Sequence, residues 1–335
     1  MKTNISLLPY HTFGAKVNAD FFTTFSNKEE LKTILQQKPA DQNFIILGGG
    51  SNILFTQDFH GMIIKNEIRG FEVLSENDTH VTLKIGAGEN WHDTVMKTVE
   101  KGWQGIENLA LIPGTVGASP IQNIGAYGVE VKDVIQSVEF YHFEKDETFE
   151  YSNQDCQFGY RNSVFKNELK GKIAVLSITV KLNKEWNFNT SYGAIEDEIR
   201  AQEITHLTPL DLAKVIIKIR ESKLPDPKEI GNCGSFFKNP VLPKSEALKI
   251  IEKYPEAPHY IVSDEFIKIP AGWLIQTAGW KGKSLGNVGT YPKQALVLVN
   301  NGGATGEEAW ALALQIQKDV KTQFGIKIEP EVNII

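Results

Sequence analysis

Phe44-Ile45-Ile46-Leu47-Gly48-Gly49-Gly50-Ser51-Asn52-Ile53-Leu54-Phe55 is the stretch on which the fold turns. Four apolar residues form a short buried strand, three glycines break it, and an apolar run resumes at once. Backbone N–H groups in a glycine turn can converge on a phosphate, because no Cβ blocks approach and positive φ is free. A dinucleotide site of the doubly wound kind needs more: G-x-G-x-x-G opening onto a helix whose N-terminus faces the pyrophosphate. Here the spacing differs, and Ile53–Phe55 reads as strand. The stretch therefore disfavours a dinucleotide site of that kind. The turn itself admits two readings, a tight strand–strand connection or a phosphate cradle.

Outward from this turn the chain mixes strand and helix signals. Ser26 to Glu29 reads as a capping box for a helix over Lys28–Gln37. Met62–Lys65 and Val81–Ile85 read as strands, and Asn90 caps a helix that stops at Gly102. Val134–Phe143 and Ile173–Leu182 are further strands. Thr208-Pro209 starts a helix, cap and then proline, that ends before Lys223-Leu224-Pro225-Asp226-Pro227. This Pro-rich break is the best domain boundary. Short helices follow at Ser245–Lys253 and Ala271–Thr277, then a strand at Ala295–Val299. The last helix opens with Thr305 and Glu308 and ends at Gly325, with Ala309, Ala313, Ile316, Val320 and Phe324 as its apolar stripe. Ile326–Ile328 reads as a final strand.

Composition narrows the function classes. With 335 residues the chain can build two or three cores. No apolar run approaches the roughly 20 residues that span a bilayer, and Met1–Gly14 lacks the features of a signal peptide, so a cytoplasmic protein with no membrane partner is expected. Two cysteines, Cys156 and Cys233, exclude a disulfide framework and suit a reducing compartment. The seven histidines are scattered without ligand spacing, so no metal is expected. A net charge of −6 argues against nucleic acid, though not against a small anion met by a local basic cluster.

Several segments carry residues suited to chemistry. Ile112 to Gly128 has neither helical nor strand period, few charges, and the polar residues Ser119, Gln122, Asn123 and Tyr127 among its glycines. Such a loop is either a structural Ω-loop or a binding loop for a ring and a pyrophosphate. Tyr160-Arg161 sets a bidentate guanidinium fork beside an aromatic, although a lone arginine is more often surface charge. Gly231-Asn232-Cys233-Gly234-Ser235-Phe236-Phe237-Lys238-Asn239-Pro240 crowds small residues around Ser235. It lacks the G-x-S-x-G elbow of a hydrolase nucleophile, so Ser235 is a turn serine or a proton donor in a dry pocket. Glu329 sits in an apolar tail (Ile326, Ile328, Val332, Ile334, Ile335) that predicts docking, with Glu329 partly buried.

Together these segments resemble the MurB family, the UDP-N-acetylenolpyruvoylglucosamine reductases. The resemblance runs in order from His11-Thr12-Phe13-Gly14 to Glu329-Pro330-Glu331-Val332, through Gly48–Asn52, Ser119–Gly128, Gly159-Tyr160-Arg161, Lys223–Pro227 and Gly231–Pro240. Thr190-Ser191-Tyr192-Gly193 matches the loop of the type I branch. The resemblance implies an α+β fold with a two-part flavin-binding unit of the vanillyl-alcohol-oxidase type (PCMH fold, residues about 15–185) and a C-terminal α+β domain. The parts of the flavin unit would be residues 1–66 and residues 67–222 with 324–335, and 223–323 would form a substrate-binding domain. It implies non-covalent FAD held by Gly48, Gly49, Gly50, Ser51, Asn52, Ser119, Gln122, Asn123, Gly125, Tyr127 and Gly128, with NADPH as reductant. Arg161, Ser235 and Glu329 would be catalytic. Tyr160, Lys223, Asn239, Tyr260, Lys281 and Gln294 would bind the UDP-sugar, with Tyr192 as its lid, in a monomer.

Overall fold

The computed structural model describes all residues from Met1 to Ile335. By contacts the chain divides into two units. The first comprises Met1–Ile5, Ala19–Gly49 and His60–Ser222; the second comprises Ser6–Asn18, Gly50–Phe59 and Lys223–Ile335. The glycine turn thus ends the first unit's share at Gly49, and the chain enters the second at Gly50.

The first unit holds two sheets. Strands β1 (Lys2–Ser6), β2 (Asn18–Phe25), β3 (Phe44–Leu47) and β5 (Phe59–Asn66) are ordered β1-β2-β5-β3, with β3 and β5 parallel. Strands β6 (Phe71–Glu76), β7 (His80–Gly86), β10 (Ile135–His142), β11 (Glu147–Ser152) and β12 (Ile173–Asn183) form an antiparallel sheet ordered β11-β10-β12-β7-β6. Its central strand β12 begins Ile-Ala-Val-Leu-Ser-Ile and is buried on both faces. One face packs against the first sheet, where Tyr141, Ala174 and Leu176 meet Phe25, Met62 and Ile64. The other covers helices α2 (Trp91–Val99), α3 (Gly193–Ala201) and α4 (Pro209–Lys223), in a core that includes Leu83, Trp91, Val95, Ile178 and Ile216. A short ribbon, β8 (Gly125–Ala126) with β9 (Val129–Glu130), grows from the amide-rich loop.

Helix α1 (Lys28–Gln37) has the expected limits, but its cap is Asn27. The Asn27 carboxamide accepts from the Glu30 N–H, while the Ser26 N–H donates to the Glu30 carboxylate. The motif is the same one displaced by a residue, because Asn caps as well as Ser.

The second unit is smaller sheets and helices. β4 (Ile53–Leu54) pairs in parallel with β20 (Asn333–Ile334). A four-stranded sheet runs β13 (Gly231–Ser235), β19 (Gln294–Asn300), β18 (Val288–Tyr291), β17 (Ser284–Leu285). A three-stranded one runs β14 (Val241–Pro243), β16 (Phe266–Lys268), β15 (Tyr260–Ile261). Helices α5 (Lys244–Lys253), α6 (Ala271–Thr277) and α7 (Gly306–Phe324) accompany them. α7 has both halves of its capping box, Thr305 with Glu308, and a left-handed Gly325 at its end. The segment Ile326–Ile328 is not a strand. The Ile328 carbonyl accepts instead from the Gln317 side chain, so this stretch docks through its apolar side chains without a ladder. No helix is long and apolar enough to cross a membrane.

Candidate active site

The two glycine-bearing loops meet in the first unit. A Cβ on Gly49 would lie 2.7 Å from the Gly114 Cα, and one on Gly48 would lie 2.5 Å from the Thr115 hydroxyl oxygen. Only glycine allows this crossing, since the obstruction at Gly49 is backbone. The Gly114 carbonyl accepts from the Trp91 N–H at the start of α2, and the Gly117 N–H donates to the Ala87 carbonyl.

Past the crossing, the loop side chains are largely committed to the protein. Ser119, 1 % exposed, donates its hydroxyl to the Val116 carbonyl. Asn123 is fully buried. Its amide donates to Glu130 and to the Gly159 carbonyl, and its oxygen accepts from the Lys132 N–H. Asn123 and Tyr127 adopt positive φ, 48° and 50°. Arg161, also left-handed at 52°, donates to the Gly125 carbonyl at 2.7 Å and lies over the Tyr160 ring. Asn108 ties the Tyr127 carbonyl to the Asn189 carbonyl, and the Asn189 amide donates to the Gly128 carbonyl. Tyr192, just beyond, stands edge-on to Tyr127 at 5.6 Å between centroids. So Gln122, Asn123, Gly125, Tyr127, Gly128, Tyr160, Arg161 and Tyr192 belong to one neighbourhood built on the loop.

Arg220 joins this neighbourhood and was not singled out from the sequence. Its Nε is buried without a partner. Burial depresses its pKa, Tyr127 opposes that and Arg161 adds to it. The signal was present: Pro209, Leu212, Ala213, Val215, Ile216 and Ile219 are the buried residues of α4. Arg220 stands four residues after Ile216, on the stripe where an apolar residue is expected. Crossed glycine loops, ready to present backbone to a diphosphate, fit the anionic part of a dinucleotide.

The second unit brings together Ser235 and Glu329. Gly234 has φ of 70°, its N–H donates to the Asn232 side chain, and the β13–β19 register shifts between Asn232 and Ser235. Ser235 is exposed at the end of β13, while Phe236 and Phe237 after it are fully buried and anchor it. The next residues run antiparallel to the tail: the Lys238 N–H donates to the Glu329 carbonyl and the Glu331 N–H to the Phe236 carbonyl, each within 2.9 Å. Glu329 is not partly buried as expected. Its side chain is 66 % exposed, with Lys238 Nζ 3.7 Å away. Ile326 and Ile328 point inward and the alternation turns Glu329 outward.

Other expected residues are spread through this unit. Ser51 and Asn52 follow Gly50, and the Asn52 amide lies 3.4 Å from the Glu331 carbonyl. The Asn239 oxygen accepts from the Ala271 N–H at the start of α6. Gln294 opens β19, Tyr260 opens β15 with Lys268 over its ring, and Lys223 and Lys281 are exposed. Cys233 is buried against the Ile53 carbonyl, and burial pushes its thiol well above the usual range, so it is inert packing. No group of His, Cys, Asp and Glu side chains is arranged to hold a metal ion.

Residues 19–148 match the model of an FAD binding domain, which places the first unit in a class of flavin-binding proteins. Residues 226–335 match the model of the C-terminal domain of UDP-N-acetylenolpyruvoylglucosamine reductase. The chain is 48 % identical over 336 residues to the reductase of that name from Flavobacterium johnsoniae, covering 100 % of this chain and 99 % of the relative. It is 44 % identical to that of Chromobacterium violaceum, covering 100 % and 98 %. The chain belongs to the MurB family. The solved MurB structure from Thermus caldophilus shares the fold, with a TM-score of 0.69 at 21 % identity over 99 % of this chain and 97 % of that one. The α+β architecture is thus the PCMH-type flavin-binding fold with a family-specific C-terminal domain.

Proposed function

We propose that this chain is an FAD-containing, NADPH-dependent oxidoreductase that reduces the enolpyruvyl ether of UDP-N-acetylglucosamine to UDP-N-acetylmuramate, a step of peptidoglycan precursor synthesis. The observation that carries this, in a chain of the MurB family, is the antiparallel pairing that sets Ser235 beside the Glu329 segment. A flavin enzyme acting on an alcohol has no need of that pair.

Bound FAD, recharged by NADPH, supplies the hydride that adds to the β-carbon of the enol ether. The protein's task is then the opposite partner of that addition. Negative charge develops at the α-carbon and spreads into the neighbouring carboxylate, and Arg161 supplies a fixed cation for it. Glu329 contributes by orienting a neighbour or, when protonated, by donating to the same oxygens. Ser235 gives its proton to the α-carbon and thereby sets the stereochemistry. Its exposed hydroxyl has no histidine partner of the kind a hydrolytic nucleophile needs.

Gly48 to Asn52 and Ser119 to Gly128 hold the flavin, mostly through backbone, since Ser119 and Asn123 are engaged within the loop. Tyr160, Lys223, Asn239, Tyr260, Lys281 and Gln294 bind the UDP-sugar, and Tyr192 closes over it. The four-stranded and five-stranded sheets of the first unit correspond to the two flavin-binding subdomains. The protein acts as a monomer on a nucleotide sugar.

The visible spectrum tests the reading. Purified protein should show oxidised-flavin bands, bleached by NADPH and restored by the enolpyruvyl substrate. A colourless protein, or reduced flavin that the substrate leaves reduced, would sink it.

A further inference from the structure

The connection from β12 to α3 carries Tyr192 at its far end, and two buried carboxamides from one short segment hold it. Gln104 is buried. Its backbone N–H and C=O both pair with Asn183. Its side chain repeats that pattern on Asn187, donating to the carbonyl at 2.7 Å and accepting from the N–H at 2.9 Å. Asn108, in the short 3₁₀ turn Glu107–Leu109, is fully buried. Its amide nitrogen donates to two separate segments, to the Asn189 carbonyl at 3.0 Å and to the Tyr127 carbonyl at 3.1 Å. Its oxygen is buried without a hydrogen-bond partner, so the side chain serves as a double donor.

Tyr127 and Gly128 are the two turn residues of the β8–β9 ribbon, both left-handed, with φ of 50° and 79°. Their carbonyls lie outside the ladder, and the two asparagines take both. Asn108 meets the first, and the Asn189 side chain donates to the second at 3.2 Å. A Cβ on Gly128 would lie 2.9 Å from that Asn189 nitrogen, so glycine is what allows the approach. The Asn189 oxygen accepts from the Ser191 hydroxyl at 2.8 Å, which carries the tie to the residue before Tyr192. The Tyr192 ring then stands edge-on to Tyr127. The next fixed point is Ile195, fully buried, whose N–H donates to the Tyr192 carbonyl. We propose that Asn108 and Asn189 are positioning residues for substrate binding: their crossed amides seat the base of the Tyr192 lid on the tip of the flavin-loop ribbon. The proposal rests on Tyr192 closing over the nucleotide sugar. Moving the whole arm away from the ribbon would break a hydrogen bond that a fully buried amide cannot recover from water. Closure therefore turns on residues 190–194 and leaves the flavin loop in place. A lid with so short a hinge loses less conformational freedom on closing, which favours substrate affinity.

A double-mutant cycle on the flavin-loaded enzyme tests this, with Asn108→Ser, Tyr192→Ala and the two combined. Flavin absorbance gives the dissociation constant of the enolpyruvyl substrate, and stopped flow gives the rate of flavin reduction by NADPH. Asn108→Ser alone should raise the dissociation constant roughly fivefold to tenfold, the worth of about one hydrogen bond, and leave the reduction rate within about twofold. In the Tyr192→Ala background the same change should raise it by less than about twofold, because the side chain it positions is gone. Asn189→Ala, at a partly exposed site, should raise it about threefold alone and lose that effect in the same background. Equal fold-losses in both backgrounds, or no loss from Asn108→Ser in either, would overturn the proposal and leave the asparagines as scaffolding. If Asn108→Ser does not retain flavin, the Asn189→Ala cycle decides by the same criterion. Failure of the underlying reading looks different: Tyr192→Ala alone would bind substrate as wild type does, and there would be no lid to position.

Discussion

The loop Ile112–Gly128 and the segment Gly231–Pro240 are both glycine-rich and uncharged at their centres, yet they treat polar side chains in opposite ways. In the loop, Ser119 and Asn123 are buried and hydrogen-bonded to the protein. In the segment, Ser235 is left exposed between a glycine at positive φ and two buried phenylalanines. The loop is therefore a shaped backbone surface whose side chains are scaffolding. The segment is a rigid mount for one hydroxyl. Substitutions in the loop should act through structure and cofactor retention, and substitution at Ser235 through chemistry alone.

The largest effect tests the second half of that statement. Ser235→Ala should leave reduction of the flavin by NADPH nearly unchanged. Reoxidation by the enolpyruvyl substrate should fall by more than the roughly 10²–10⁴-fold typical of general acid catalysis, because the carbanion reverts to substrate. Ser235→Cys should keep partial activity. Stopped-flow flavin absorbance separates the half-reactions. An alanine variant that reoxidises at the wild-type rate would make Ser235 scaffolding too, and Tyr160 or water would become the candidate donor.

Asn123→Ala tests the first half. The substitution removes three hydrogen bonds, to Glu130, Gly159 and Lys132, from a fully buried site. It also puts alanine at φ of 48°, which asparagine tolerates better. A loss of about 2–4 kcal/mol of stability is expected, with poorer flavin retention. Urea unfolding and the flavin-to-protein absorbance ratio measure both. A variant that is stable but flavin-free would show Asn123 to be a direct ligand, and the contrast between the two regions would weaken.

This division was only half legible in the sequence. The strand after Gly48-Gly49-Gly50 counted against a dinucleotide site at a helix N-terminus, and caps such as Asn90, Thr208 and Thr305 gave helix starts, because those signals are local. The fate of the Asn123 amide was not legible, since its partner Gly159 lies 36 residues away. Nor was the exposure of Glu329. An apolar flank says that a segment docks, while the alternation within it decides which side chains turn out. Arg220 was legible in principle, as an arginine on an apolar stripe, but its meaning depends on Tyr127 and Arg161, which only the fold brings near.

Tyr192 sits between the two regimes, exposed like Ser235 yet packed on the loop through Tyr127. Tyr192→Phe keeps the ring contact and removes the hydroxyl. If the residue is a lid for substrate, the substrate dissociation constant should rise roughly tenfold, the worth of one hydrogen bond, while the rate of flavin reduction by NADPH holds. Titration of flavin absorbance with substrate and stopped-flow reduction give the two numbers. Equal losses in both would assign Tyr192 to the scaffolding of the loop.

The smallest effect concerns scaffolding inside the second unit, behind Ser235. His11 and Thr12 brace the serine segment: the Thr12 hydroxyl donates to the Asn232 carbonyl, and the Asn232 N–H donates to the Thr12 carbonyl. His11 is buried edge-on to Phe55, with Nε2 3.1 Å from the Ala15 carbonyl, so Nε2 carries the proton and Nδ1 is left without a partner. Burial lowers its pKa below the ordinary 6.5, and the bond to Ala15 only partly opposes this. Below pH 6.5 the unfolded chain takes up a proton at this residue that the folded chain resists, so the unfolded state gains and stability falls. The contribution is present in full above pH 6.5 and is lost as pH drops through the folded-state value. One proton limits the slope to about 1.4 kcal/mol per pH unit. His11→Gln can still donate to Ala15 and does not titrate. It should be less stable than wild type at pH 8, because the ring contact with Phe55 is gone, and the gap should narrow as pH falls toward 5. Urea unfolding of both proteins across that range measures the gap. A gap that stays constant would mean that His11 charges as readily in the folded protein as in the unfolded one, and that the brace behind Ser235 is open to water.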